Sequence, residues 1–225
     1  MGRALGNVLP LAIAIGIFPV PIVAVVLMVG SDRGRSKSLA FVLAWCVGLT
    51  TVGTIVLLAA GVTHANDAGE AASWVNALLL GLGLLLLAAA VMQWRSRPGA
   101  DEEALAPGWM RTIDNLTVAK AGGTGFAISA LNPKNVLLTV AAAAEISAVG
   151  LPGSQQTMVF LIFLLIASGG VLAPLLLSLA LGARSGVVLD RLRDWMVRHN
   201  AVIMTVLFLI MGAKLIGDAI AGFSS

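Results

Sequence analysis

Polar and apolar positions in this chain alternate on the scale of whole helices. Apolar blocks run from about Leu5 to Gly30, Ser38 to Gly61, Trp74 to Trp94, Gly122 to Ala148, Gln156 to Leu181 and Asn200 to Ala221. Each exceeds the roughly 18 residues that mark a helix long enough to cross a bilayer. The pattern predicts an all-α membrane protein with six transmembrane helices. The first block follows a lone Arg3 and ends without a small-residue cleavage site, so it reads as a retained span and not a signal peptide.

Charge gives the spans a direction. The connection after the first span carries Arg33, Arg35 and Lys37; that after the third carries Arg95, Arg97, Arg111 and Lys120; that after the fifth carries Arg184, Arg191, Arg193 and Arg198. These connections fall on one side and hold 11 of the 14 basic residues. Basic loops stay in the cytoplasm, so both termini are expected outside a multi-pass protein of the cytoplasmic membrane. The polar stretch Ser96 to Pro107 carries Asp101, Glu102 and Glu103. The segment Trp109 to Lys120 mixes Trp109, Met110, Ile113 and Leu116 with Arg111 and Asp114, as an interfacial amphipathic helix does.

An even split gives three spans per half, and an odd number per half turns the second half over. The expected organisation is one membrane domain: residues 1–94 as a first three-helix repeat, 95–120 as a cytoplasmic linker with the interfacial helix, and 121–225 as a second, inverted repeat. The matching feature is a proline segment near the middle of each half's first span: Phe18-Pro19-Val20-Pro21 in span one and Asn132-Pro133-Lys134-Asn135 in span four. Proline removes a backbone donor, clashes with the preceding turn and pushes the residue before it out of the helical region. Spans one and four are therefore expected to break. Pro174 in span five stands alone and predicts a simple kink.

Composition agrees. The chain is 59% hydrophobic and 11% charged, against roughly 25% charged in soluble domains. Cys46 has no cysteine partner and is expected to pack as a small apolar residue, while His64 and His199 fall in or beside polar connections. No G-x-x-x-x-G-K-[ST] loop, His/Cys cluster or convergent nucleophile and base is visible. The reading is a non-enzyme with no cofactor, no ATP chemistry of its own and no nucleic-acid partner.

Lys134 is the sharpest single residue, since a charge at mid-span costs about 2.5–3.5 kcal/mol on insertion scales. Asn132 and Asn135 flank it, able to bond broken backbone or a ligand. With the positive N-terminal dipoles of the half-helices after Pro21 and Pro133, the lysine favours an anion. Pro19, Pro21, Asn132, Pro133, Lys134 and Asn135 are the candidate substrate-binding set. Lys214 and Asp218, four residues apart, are expected to pair, with Glu145 snorkelling near the outer end of span four; a proton-coupling role for this trio is the alternative. Glycines in spans three and five allow close helix contact and a homodimer.

The Pro-x-Pro of span one and the Asn-Pro-Lys of span four resemble the lysine-exporter (LysE) superfamily of small membrane exporters. More closely, Leu9-Pro10-Leu11-Ala12-Ile13, Pro19-Val20-Pro21, and Trp109 through Ile113-Asp114 to Ala130-Leu131-Asn132-Pro133-Lys134-Asn135-Val136-Leu137-Leu138 resemble the GAP family, the glycopeptidolipid- and sulfolipid-addressing proteins of mycobacteria and other actinobacteria. Val20 departs from the glycine common in amino-acid exporters of the superfamily. The resemblance implies export or flipping of a glycolipid or peptidolipid with an anionic group, membrane lipids as partners, and Pro19, Pro21, Asn132, Pro133 and Lys134 as motif positions. Two other functions stay open: an exporter of amino acids or other small solutes, and a non-transporting assembly subunit of envelope-lipid export machinery.

Overall fold

The computed structural model describes residues 1–64, 70–97, 113 and 116–223. Its helices are α1 (Gly2–Gly16), α2 (Pro19–Gly30), α3 (Gly34–His64), α4 (Glu70–Arg95), α5 (Val118–Ala130), α6 (Pro133–Ala148), α7 (Gly153–Leu181) and α8 (Ser185–Phe223), with a 3-10 turn at Gly182–Arg184. No strand occurs among the described residues. Four helices are each long and apolar enough to cross a membrane, and two bent pairs bring the number of candidate spans to as many as six. The protein is a multi-pass membrane protein.

The two proline segments divide spans one and four into separate helices, α1/α2 and α5/α6, bent by 48° and 58°. Each second helix starts on proline at its first position, where the missing N–H breaks no intrahelical bond. Pro174 behaves differently. It lies inside α7, which continues through it, so the carbonyl four residues earlier, on Gly170, loses its helical donor.

Several boundaries move. The second span is longer at both ends, and the third starts at Glu70, ahead of Trp74. The fourth starts at Val118, so Lys120 sits in the first turn of α5, whose Thr117 side chain accepts the Lys120 N–H at 3.3 Å. Lys120 thus belongs to the first turn of a membrane helix capped by Thr117 and does not end an interfacial one. The rest of that expected amphipathic segment, with Trp109, Met110, Arg111 and Asp114, and the acidic stretch Asp101 to Glu103, lie outside the described residues, as does the His64 side chain. Ile113 is buried. The largest change is at the last span, expected from Asn200: α8 begins at Ser185, so His199 is helical and stacks on Trp195 with ring centroids 5.0 Å apart.

Helix α4 packs chiefly on α8, and α3 on α5. Helix α1 lies on α7 and α6; α2 touches α7, α3 and α8; α6 touches α3, α4 and α7. The shared core is built from the inward faces of all these helices, with Phe41, Trp45, Phe163, Phe208 and Leu215 fully buried. Outward faces are as apolar as the core, Leu43, Ile55, Leu84 and Leu165 among them, because the solvent they meet is hydrocarbon. Cys46 packs among these helices with Sγ 3.3 Å from Ser168 Oγ.

Helices α1 and α7 meet backbone to backbone. A Cβ at Gly170 would overlap the Gly16 carbonyl oxygen, and one at Gly16 would come within 2.8 Å of the Ile166 carbonyl oxygen. Neighbouring Gly169 has open space. Gly170→Ala is therefore expected to cost about 1–3 kcal/mol through overpacking and to lower the thermal unfolding midpoint in detergent, while Gly169→Ala leaves it unchanged. Equal midpoints for the two variants would refute the close contact.

Candidate functional site

The breaks are finished by different chemistry. At the second, Asn132 leaves the helical region (φ −72°, ψ 119°), and its side-chain oxygen accepts the Lys134 N–H at 3.1 Å. Asn135, 1% exposed, reaches back across the break and donates Nδ2 to the Ile128 carbonyl at 2.8 Å. That carbonyl belongs to the last turn of α5, whose orphan acceptors would otherwise lie unpaired in an apolar medium. Both asparagines are thus committed to backbone. At the first break, Phe18 is the N-cap and supplies no side-chain cap. Pro19 and Pro21 instead delete two of the first three donors of α2, leaving Val20 as the residue with an N–H there. Pro19 and Pro21 are buried, whereas Pro133 is exposed.

Lys134 joins the breaks. Its backbone is near the middle of the α5/α6 span, and its Nζ lies 5.7 Å from the Phe18 ring centroid and 5.1 Å from that of Phe208. Both distances are within cation–π reach. Nζ also donates a long hydrogen bond, 3.4 Å, to Gln93 Oε1. Gln93 is in the last turn of α4, two residues before Arg95. The ammonium is therefore turned from mid-span toward the end of the bundle that carries the basic connections. Residues from α4, α6, α8 and the first break converge on this half-buried cation, and no carboxylate among the described residues pairs with it. Phe18, Gln93 and Phe208 are the members that sequence reasoning missed. Phe18 was within reach, since aligning Pro19 with Pro133 sets it opposite Asn132. Phe208 and Gln93 carry no local signal.

A second polar group lies beyond it toward the other end of α6. Lys214 pairs with Asp218 and stands 3.6 Å from Glu145 Oε1, while Asn7 Nδ2 donates to Glu145 Oε2 at 2.7 Å. Glu145 is 3% exposed. The expectation that it snorkels is therefore wrong about its surroundings: packing of α1, α6 and α8 encloses the carboxylate, and an amide and an ammonium replace water. Asn7 was not anticipated. The cluster ties the N-terminal part of α1 to the C-terminal parts of α6 and α8.

Two predictions follow from these contacts. Lys214→Met would strand a buried carboxylate, costing about 3–5 kcal/mol; Glu145→Leu combined with Lys214→Met is expected to recover most of it. Thermal unfolding of purified protein measures both, and an additive double variant would remove the pairing. Asn132→Ala is expected to cost about 1 kcal/mol and Asn132→Ser less than half of that, because a serine hydroxyl caps about equally well without adding a charge.

The chain was compared with known proteins. No curated protein and no solved structure matches it significantly. Residues 8–221, nearly the whole chain, match the family described as Sap, sulfolipid-1-addressing protein, and the chain belongs to that family.

Proposed function

We propose that this protein is a transporter that exports or flips an anionic or glycosylated envelope lipid from the cytoplasmic membrane toward the cell surface. One observation carries the reading: the Lys134 ammonium stands where the two helix breaks meet, ringed by Phe18, Phe208 and Gln93 with no carboxylate of the described residues paired to it, in a chain of the sulfolipid-1-addressing family. A partly desolvated cation between aromatic faces suits a sulfate, phosphate or carboxylate headgroup with an apolar tail. The anion preference rests on Lys134 and the α6 dipole; free N–H groups contribute little, because proline and the Asn132 cap have used them.

The architecture we infer is the three-plus-three inverted repeat, residues 1–94 and 121–225, joined by the 95–120 linker. The helix contacts support it. Exchanging α1 with α5, α2 with α6, α3 with α7 and α4 with α8 carries α1–α7 into α3–α5, α2–α8 into α4–α6, α2–α7 into α3–α6, and α2–α3 into α6–α7, and every one of these pairs occurs. The α1–α6 contact has no counterpart of similar extent. The count of basic residues supports placing both termini outside, so Lys134 faces the cytoplasmic side and the Glu145–Lys214–Asp218 cluster the outer side. We assign that cluster the role of an outer tie that holds α1, α6 and α8 together when the path outward is closed.

In a deletion strain, Lys134→Gln is expected to lower the surface lipid at least about tenfold, an amount equal to about 1.4 kcal/mol of lost interaction, with the variant present in the membrane at normal level. Lys134→Arg should retain part of the transport. The same Gln variant should lose lipid flipping in proteoliposomes. Unchanged surface lipid together with unchanged flipping removes the central site; lost surface lipid from a protein that never flips lipid in vesicles points instead to an assembly subunit.

A further inference from the structure

The inner extension of α8 is not used by the transport reading. Helix α8 has 39 residues, about 58 Å at roughly 1.5 Å per residue, well beyond the roughly 30 Å of a bilayer core. Its excess lies at the N-terminal end, where Leu189 and Met196 are buried and Met196 clusters with Ile22 and Val23 of α2. The opposite face carries two interleaved rows at seven-residue spacing, a repeat that stays on one side of a helix. One row is Arg191 and Arg198, with Arg184 of the preceding 3-10 turn ahead of them; the other is Val188, Trp195 and Val202. All six are exposed, the apolar three by 46%, 49% and 45%.

The acidic residues of the extension pair with Arg193, although Asp194, three residues after Arg191 and four before Arg198, borders this face. Asp190 and Asp194 turn toward Arg193, at 3.1 and 2.8 Å, on the adjoining side of the helix. Arg198 Nε rests on the Asp194 carbonyl oxygen at 3.3 Å, which steadies its guanidinium. Farther along α8 the same face becomes wholly apolar, with Val206 and Leu209 exposed by 47% each.

We infer that this face is a docking site for anionic phospholipid of the inner leaflet, with the phosphate between Arg191 and Arg198 and an acyl chain along Val202, Val206 and Leu209. Guanidinium groups recognise phosphate oxygens in bidentate fashion. An indole at the edge of the apolar zone sits at headgroup depth. Charge complementarity and the change from basic to apolar along one face match an anionic lipid from head to tail. The site is separate from Lys134 and rests on the orientation proposed above, which puts this end in the inner leaflet.

The test uses the full chain with Lys134→Gln, so that the central lysine does not contribute, and phosphatidylglycerol as the probe. Retention of phosphatidylglycerol over phosphatidylcholine is read by native mass spectrometry. The double variant Arg191→Gln/Arg198→Gln is expected to weaken phosphatidylglycerol by roughly 30-fold, from about 1 kcal/mol per arginine near a charged surface, with phosphatidylcholine unaffected. Arg35→Gln, an exposed arginine of α3 away from this face, should behave as the parent. The single exposed change Arg191→Gln gives about a fivefold loss and covers the case in which the double variant does not fold. Three results overturn the inference: phosphatidylglycerol held equally by the Arg191 variants, an equal loss in Arg35→Gln, or conversion of a dimer to a monomer by the Arg191 change. Because lipid retention is read without transport, failure of the export reading leaves this result interpretable.

Discussion

A backbone that stops being helical inside a bilayer must find partners for its N–H and C=O groups within the protein, because hydrocarbon offers none. The rest of this structure depends on how that constraint is met twice. At the second break two asparagines serve the backbone, one capping α6 and one reaching back to the last turn of α5. At the first break the donors are removed outright, by prolines at the first and third positions of α2. With both backbones settled, the side chains between them are available. Phe18 and Lys134 face one another because each belongs to a break that does not need it for repair.

The same arrangement explains how the protein holds a lysine whose backbone is at mid-span. A charge there is expensive; the ammonium turns toward the end of α4, between two ring faces and one amide oxygen, and no carboxylate among the described residues pairs with it. The lysine at the other end of the bundle is treated differently: Lys214 has Asp218 and Glu145, and Asn7 holds Glu145 in turn. One cation is left able to attract an anion and the other is consumed by structure. The charge and aromatic surroundings of Lys134 suit an anion, and it is on this place that the proposed lipid export rests.

Much of this was legible in the chain. Spans, proline breaks and the Lys214–Asp218 spacing depend on local pattern, and local pattern is what a sequence displays. Asn132 was legible as a polar neighbour of Lys134, but its choice of backbone over ligand depends on the turn geometry at the break. Glu145 was misread because its position near a helix end resembles that of a solvated residue; only the packing of α1 and α8 over it makes it buried. The start of α8 was misread because charged residues from Asp190 to Arg198 look like a loop, although their spacing is that of one helix with two different faces. Phe208 and Gln93 meet Lys134 from helices far away in sequence, and no local pattern marks them.

The Gly16–Gly170 contact has a mechanical meaning. Two helices separated by side chains can slide, since the side chains change rotamer as they pass. Two helices touching at bare backbone have nothing between them to yield. Beside the first break, α1 and α7 are therefore pinned like the two blades of a pair of shears. Relative movement of α1 and α7 that preserves this contact is rotation about a fixed point beside the first break.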